Sequence, residues 1–142
     1  MWQRDFSLGI AATPAAVWRL FADVDGWTAW NAGIERIAIH GPFAAGTAFE
    51  MQPPGQEPFT STLVEVRENE LFEDETVVGD IRVRVAHRIE AQAAGCRVTY
   101  SACVWGPGEA EVGEMITADF PEVLKALAAL AERQDEGAES AA

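Results

Sequence analysis

The two side chains best suited to acid–base or hydrogen-bonding chemistry are His87 and Tyr100. His87 lies in the segment Ile81–Glu90, where the residues in step with it at every second position are Ile or Val. Side chains of a strand alternate between its faces, so the imidazole is predicted to point inward. An imidazole, with an ordinary pKa of about 6.5, can serve as an acid, a base or a hydrogen-bond donor. The same position is also typical of a core histidine bonded to a buried partner.

Tyr100 lies in the next segment, Arg97–Trp105, and shares a face there with small or β-branched apolar residues. In an antiparallel pair of strands, its ring can lie beside His87 across the ladder. Two polar tips in an apolar hollow suit the orientation of one polar ligand group. In the alternative, the tyrosine ring packs in the core and its hydroxyl reaches the edge of the protein.

Trp27 and Trp30 fall in a segment, Trp27–Ala32, that is predicted to be a short helix or tight loop. Two indoles there can clamp a flat ligand, or they can close one end of the core as a hydrophobic plug. Other residues are predicted to face the interior on the inner side of the sheet, where each can line a pocket or belong to an ordinary core. These are Phe49, Met51, Phe72, Met115, Ile116 and Phe120.

The elements that must position these side chains follow from hydrophobic spacing. A first strand is predicted at Gln3–Ile10, and a helix from Thr13-Pro14 to Asp25-Gly26, because Thr caps a helix and Pro suits its first position. From Ile34 the apolar spacing changes to every second residue, which indicates strands joined by short turns. The predicted strands contain Ile37 and Ile39, then Thr47–Met51, Phe59–Arg67, Leu71–Val78, Ile81–Glu90 and Arg97–Trp105.

The last predicted element is an amphipathic helix between Glu109 and Arg133. Pro121 lies inside it, so a kink or break is expected near Asp119–Phe120. The order of elements predicts an α+β fold. A curved antiparallel sheet of roughly seven strands would bury its inner face against the long C-terminal helix, with two short helices between strands 1 and 2. Such a sheet leaves a hollow beneath the helix.

Three stretches of sequence carry a resemblance to a known family. The first runs from Thr13-Pro14 through Val17-Trp18 and Val24-Asp25-Gly26-Trp27 to Trp30-Asn31, like the family's "x-P-x-x-V-W" helix and "V-x-x-W-x-x-W" turn. The second is Ile39-His40-Gly41-Pro42-Phe43 with Gly46-Thr47, like its "Gpf..Gt" hairpin. The third runs from His87 through Arg97-Val98-Thr99-Tyr100 to Gly106-Pro107, like its "H…gt.vt…Gp" stretch.

Together these stretches resemble the helix-grip superfamily, which includes START domains and Bet v 1-like proteins, over Phe6 to Glu132. The chain is most similar to the small bacterial polyketide cyclase/dehydrase family (SRPBCC). The resemblance implies a protein that holds an apolar small molecule, such as a lipid, an aromatic compound or a polyketide, in the hollow. It also leaves open a cyclase or dehydratase with His87 as acid or base and Tyr100 as orienting donor. A third possibility is an interaction protein, like the related chaperone ATPase activators.

Composition narrows the choice of partners. The chain has 142 residues and a net charge of −13, which makes nucleic acid and anionic membranes unfavourable partners. No apolar segment is long enough for a membrane helix, and the N-terminus lacks a signal-peptide pattern, so we expect a cytoplasmic protein, monomer or homodimer. One domain is expected over residues 1–133, followed by a disordered acidic tail at 134–142. Cys96 and Cys103 lie too far apart along one predicted strand for a disulfide.

Several other chemistries find no support in the sequence. There is no phosphate-binding loop, no complete dinucleotide fingerprint and no serine-hydrolase elbow. His40 and His87 lack metal-ligand spacing, so neither a metal nor another cofactor is expected. The acidic run Glu68–Glu75 lacks the glycine and spacing of a calcium loop and predicts a solvated hairpin. Arg82, Arg84 and Arg88 are predicted to pair with these acids on the outer face of the sheet.

Overall fold

A computed structural model describes residues 1–141 of the chain, with side chains described as far as Glu136. Among these residues, seven strands form one antiparallel sheet in the order β1-β7-β6-β5-β4-β3-β2. The strands are β1 (Trp2–Ile10), β2 (Arg36–Ile39), β3 (Ala48–Gln52), β4 (Phe59–Arg67), β5 (Leu71–Val78), β6 (Ile81–Gln92) and β7 (Gly95–Trp105). The helices are α1 (Pro14–Ala22), a 3-10 helix (Val24–Ala29), α2 (Glu109–Thr117) and α3 (Phe120–Ala141). The predicted fold class is confirmed.

The register of β6 with its two neighbours decides which residues share the inner face. His87 lies opposite Phe72 on β5 and opposite Tyr100 on β7. The predicted approach of His87 and Tyr100 across the ladder is therefore confirmed. Cys96 and Cys103 are both free cysteines; Cys96 is buried and Cys103 is partly exposed.

Helix α1 begins as its sequence predicts. The Thr13 hydroxyl accepts a hydrogen bond from the Ala16 N–H at 3.1 Å, and Pro14 occupies the first turn, where its missing N–H leaves no unpaired donor. The helix ends at Ala22, and a separate 3-10 helix follows at Val24–Ala29. The prediction of a second short element at Trp27–Ala32 was therefore wrong in its bounds. Local bonds such as that from the Gly26 N–H to the Asp23 carbonyl start the turn earlier.

The C-terminal helical segment is broken where Pro121 predicts. Helix α2 ends at Thr117 and α3 begins at Phe120, so Pro121 lies in the first turn of a new helix and not in the interior of a continuous one. The residues of α3 buried under the sheet are Val123, Leu124, Leu127, Ala128 and Ala131. They recur at helical spacing, and α3 packs mainly against β1 of the sheet and against α1.

Helix α3 extends past Gln134, the residue at which composition predicts that a disordered acidic tail begins. Its helical backbone continues to Ala141, and Ala142 lies outside the described residues. Two carboxylates of α3 contact the loop between β1 and α1. Glu132 accepts a hydrogen bond from the Ala11 N–H at 2.8 Å, and Asp135 accepts one from the Thr13 N–H at 3.3 Å. Backbone N–H groups of the β1–α1 loop are thus satisfied by side chains of α3. Hydrophobic spacing in the sequence does not reveal such contacts.

Candidate functional site

The hollow between the sheet and the helices is occupied by a cluster of aromatic side chains centred on Phe21 of α1. Phe21 is fully buried, and its ring centroid lies 4.9 Å from that of Phe72 and 6.0 Å from that of His87. Tyr100 and Trp30 also contact it, with centroids 6.4 and 6.2 Å away. The spacing of α1 predicts that Phe21 is buried, but only the fold shows that its ring contacts four of the candidate residues: Trp30, Phe72, His87 and Tyr100.

His87 is packed inside this cluster. Its imidazole is stacked on Phe72 with centroids 3.9 Å apart, and Tyr100 meets it edge-on at 4.5 Å. Because a carbonyl can only accept, the Nδ1–H of His87 donates to the Phe72 carbonyl at 3.2 Å. Burial lowers the pKa of His87 to about 3, and the bond to Phe72 offsets only part of this effect. The imidazole is therefore neutral near pH 7, so it lacks the charge of a general acid, and its low pKa makes it too weakly basic to serve as an efficient general base.

Two polar atoms of the cluster are buried without a hydrogen-bond partner: the hydroxyl of Tyr100 and the indole Nε1 of Trp30. Tyr100 is 3% exposed and Trp30 is 5% exposed. Burial raises the pKa of the Tyr100 hydroxyl, and the charge of Asp74 raises it further. An unpaired buried polar group costs about 1–3 kcal/mol, so these two atoms are sites where a ligand atom would stabilise the protein.

The other predicted site residues differ in how deeply they are buried. Trp27 is in the cluster, but its indole N–H donates to the Phe21 carbonyl at 2.9 Å and is satisfied. Phe49 and Phe72 are fully buried, whereas Met51, Ile116 and Phe120 are partly buried. Phe120 meets Tyr100 edge-on at 5.5 Å from the start of α3.

The prediction that Met115 faces the hollow was wrong, because the residue is 70% exposed. Helix α2 buries Gly113 and Thr117, which lie four residues apart on one face. Met115 lies midway between them in sequence and so on the opposite face. The sequence-based prediction treats Glu109–Arg133 as one continuous helix, whereas the break before Phe120 lets α2 bury a different face from α3.

Sequence reasoning missed a polar group on the inner face of β5. Asp74 was placed in a solvated acidic hairpin, but it pairs with Leu63 and Val85, both buried. Burial and the neighbouring charge of Glu73 raise the pKa of Asp74 to about 7. The signal was present in the sequence, because Asp74 has the same parity as Phe72, which was already assigned to the inner face.

Ser61 and Thr76 continue this polar strip next to Asp74. Their hydroxyls are hydrogen-bonded to each other at 2.5 Å across the β4–β5 ladder, and Ser61 is 1% exposed. The acids on either side of Asp74 face outward instead. Arg84 contacts Glu75 at 2.7 Å and Glu73 at 3.5 Å, which confirms the outer-face pairing predicted for this arginine.

The surface pockets of the described residues include two that adjoin the hollow. The larger, about 380 Å³, lies between α1, the β2–β3 loop and the β4–β5 turn. It is lined by Trp18, Ala22, Phe43, Ala44, Ala45, Val66 and Glu68. The other, about 170 Å³, lies between β1 and the start of α3. In the larger pocket, Phe43 also contacts Phe72 at 5.3 Å and Trp18 contacts Phe21 at 6.5 Å, so these two rings separate the pocket from the buried cluster.

A curved seven-stranded antiparallel sheet with a long bent C-terminal helix and short helices after the first strand is the Bet v 1-like, or helix-grip, architecture. A family model described as "Polyketide cyclase / dehydrase and lipid transport" matches residues 2–132. The chain belongs to this family, as its sequence motifs predict. A comparison with curated protein sequences found no match.

Solved structures share the fold at low sequence identity. Protein MLL2253 of Mesorhizobium loti superposes with a TM-score of 0.81 at 14% identity, covering 94% of this chain and 99% of that one. The di-domain ARO/CYC StfQ of the steffimycin pathway gives 0.76 at 12% identity, covering 93% of this chain and 51% of that one. Norcoclaurine synthase of Thalictrum flavum, bound to dopamine and hydroxybenzaldehyde, gives 0.72 at 15% identity, covering 91% of this chain and 85% of that one.

No helix within residues 1–141 is long and apolar enough to cross a membrane.

Proposed function

We propose that the protein binds a small molecule with an aromatic or apolar body and at least one polar group, in the hollow between the sheet and α3. The observation that carries the proposal is the pair of unpartnered buried polar atoms, the Tyr100 hydroxyl and the Trp30 Nε1. Both rings contact Phe21, so both lie in the same aromatic cluster. A bound polar group would accept from the Trp30 N–H or exchange a hydrogen bond with the Tyr100 hydroxyl.

Membership of the polyketide cyclase/dehydrase and lipid transport family supports a role in ligand binding or cyclisation. The aromatic ligands of the norcoclaurine synthase structure and the aromatic cluster here support a ligand with a ring. Between the two roles, the geometry of His87 favours binding. Its lowered pKa leaves the ring neutral and weakly basic near pH 7, its one N–H is already donated to the Phe72 carbonyl, and its face is stacked on the Phe72 ring.

Entry of a ligand requires the aromatic rings to rearrange, and Phe43 is the ring best placed to do so. It lies in the β2–β3 loop, is partly exposed, and adjoins the surface pocket on one side and Phe72 on the other. Gly41 and Gly46, with φ of 150° and 94°, bracket it. We infer that displacement of Phe43 joins the pocket to the cluster.

A matched pair of compounds tests the proposal: 2-naphthol and naphthalene, which differ by one hydroxyl. In NMR titrations, 2-naphthol is expected to shift the indole N–H resonance of Trp30. Tyr100→Phe should weaken 2-naphthol roughly fivefold, which corresponds to one net hydrogen bond of about 1 kcal/mol, and leave naphthalene unchanged. Trp105→Phe, which alters a partly exposed indole under Arg82, is the control and should change neither affinity.

Two outcomes would overturn this function. One is that neither compound perturbs Trp30 or the other cluster resonances at concentrations near their solubility. The other is that both bind equally to the parent and to Tyr100→Phe, which would show that the unpartnered hydroxyl takes no part. Circular dichroism melts of each variant separate loss of binding from loss of folding.

A further inference from the structure

Asp74 is a carboxyl group on the inner face of the sheet, among apolar neighbours. It lies opposite Leu63 on β4 and Val85 on β6, which are 0% and 9% exposed. Along β5 its same-face neighbours are Phe72 and Thr76. The residue is partly accessible, but its carboxyl group is desolvated by the protein around it. A carboxylate in such a place is costly unless a cation or several donors face it.

The described part of the inner face offers Asp74 no cation nearby. Arg4, in the same cross-strand row, lies three strands away on β1, or about 14 Å at the usual strand spacing of about 4.8 Å. Its guanidinium is already directed to Glu114 at 3.8 Å and over the Trp2 ring at 5.1 Å. Arg82 and Arg84 lie on the neighbouring strand β6, but they contact Glu75 on the outer face.

The Tyr100 hydroxyl is the second polar group of this region. It is buried and unpartnered, and it lies on the same face of the sheet as Asp74, two strands away and one same-face position along. The charge of Asp74 contributes to the raised pKa of this hydroxyl. His87 lies on β6, the strand between those of Asp74 and Tyr100. Its imidazole is neutral and donates a hydrogen bond to the Phe72 carbonyl. A carboxylate that needs a cation and a phenolic oxygen that can accept a hydrogen bond therefore face one apolar region. An ammonium group has three N–H donors and a positive charge, and so suits both.

We infer that Asp74 and Tyr100 form the polar end of a binding site for a small molecule that carries a protonated amine on an aromatic or apolar body. The inference rests on the proposed function, since it assigns a ligand class to the same hollow. The carboxylate of Asp74 pairs with the ammonium, the Tyr100 oxygen accepts a second N–H, and the rings of the cluster surround the ligand's body. A ligand that carries a carboxylate binds more weakly, because Asp74 repels it.

Three compounds with the same phenylethyl body and different charge test this ligand class: 2-phenylethylamine, 2-phenylethanol and the slightly larger 3-phenylpropionate. Dissociation constants are measured by NMR titration at pH 7.5 in 150 mM salt, where the amine is protonated. The amine is expected to bind the parent at least tenfold more tightly than the alcohol, and 3-phenylpropionate more weakly than both. In Asp74→Asn the preference for the amine over the alcohol should fall to about onefold, with the alcohol's own affinity kept.

Glu73→Gln is the matched control, because it removes the same charge from the adjacent residue on the outer face. It should retain the tenfold preference, which separates a specific pair from general attraction by a protein of net charge −13. If Glu73→Gln and Asp74→Asn lose the preference equally, or if the three compounds bind the parent alike, the amine site is wrong while the hollow remains a binding site. If none of the three binds and 2-naphthol also fails, the proposed function falls and this inference falls with it.

Discussion

The imidazole of His87 lies nearly parallel to the ring of Phe72, with centroids 3.9 Å apart and planes inclined by 7°. The same two residues are joined a second time, because the His87 Nδ1–H donates to the Phe72 carbonyl at 3.2 Å. They are direct cross-strand partners on β6 and β5. Stacking and hydrogen bonding thus fix one side chain from two directions, which makes His87 part of the packed interior.

His87→Leu is therefore expected to destabilise the protein. The change removes the donor to the Phe72 carbonyl, and leaving a buried acceptor unsatisfied costs about 1–3 kcal/mol, or several degrees in Tm. A thermal melt of variant and parent measures it. His40→Gln, on an exposed residue of the β2–β3 loop, is the control and should melt like the parent. An unchanged or raised Tm for His87→Leu would mean that the imidazole faces open space after all.

The strands were predictable where period-two spacing is bounded by residues that suit turns. β4 and β5 match their predicted bounds residue for residue. Asn69 and Gly79, at the turns after β4 and β5, adopt positive φ of 65° and 59°, which Asn and Gly tolerate best. Local pattern and tertiary structure agree at these strands, so the sequence alone is enough to predict where they begin and end.

The site was less predictable, because its properties depend on how volumes fit together. The parity of His87 shows that it points inward, but not that Phe72, Phe21 and Tyr100 fill the space around it. Asp74 was missed for a different reason. Its neighbours Glu73 and Glu75 suggest a solvated run, although alternation sends every second residue of that run to the interior.

Gly113 provides a test of how closely α2 packs on the sheet. A Cβ built at this helical position would collide with the indole ring of Trp2 on β1. Gly113→Ala should therefore destabilise the protein, although alanine is favoured over glycine in a helix by about 1 kcal/mol. Chemical denaturation of the variant measures the net effect.

Gly9→Ala is the control for that substitution, since nothing lies within 4 Å of a Cβ at Gly9 and the strand would gain from alanine. It should be neutral or slightly stabilising. The double variant Trp2→Leu/Gly113→Ala should be less destabilised than the sum of its parts, because the smaller side chain makes room. Additive effects would argue that α2 does not rest on Trp2.

Glu132 tests the contact between α3 and the β1–α1 loop. Its carboxylate accepts from the Ala11 N–H at 2.8 Å, in an exposed setting. Glu132→Ala should lower the free energy of unfolding by about 1 kcal/mol, the usual net worth of one such bond. Glu136→Ala, on an exposed residue one turn further along α3, should have no effect. Truncation after Arg133 removes Asp135 and its longer bond to Thr13, and should cost less than Glu132→Ala.

The pH dependence of stability tests Asp74 and His87 together, because their shifts have opposite signs. The pKa of Asp74 is raised from 3.8 to about 7, so the folded state holds its proton more tightly, and stability is lost as the pH rises through this window. The pKa of His87 is lowered from 6.5 to about 3, so the folded state resists protonation, and stability is lost as the pH falls through that window. Between about pH 4 and 6.5 the two slopes oppose each other.

Removing Asp74 should uncover the slope due to His87. Relative to the parent, Asp74→Asn is expected to gain stability steadily as the pH rises from about 4 to about 7, by at most about 1.4 kcal/mol per pH unit. Asp5→Asn removes the same charge from an exposed position on β1 and serves as the control. Denaturant midpoints at half-unit pH steps give both profiles. If the stability of Asp74→Asn instead differs from that of the parent by a constant amount over this range, the pKa of Asp74 is the same in the folded and the unfolded protein. The carboxyl group would then be hydrated in the folded protein, and it would have no need of an ammonium partner.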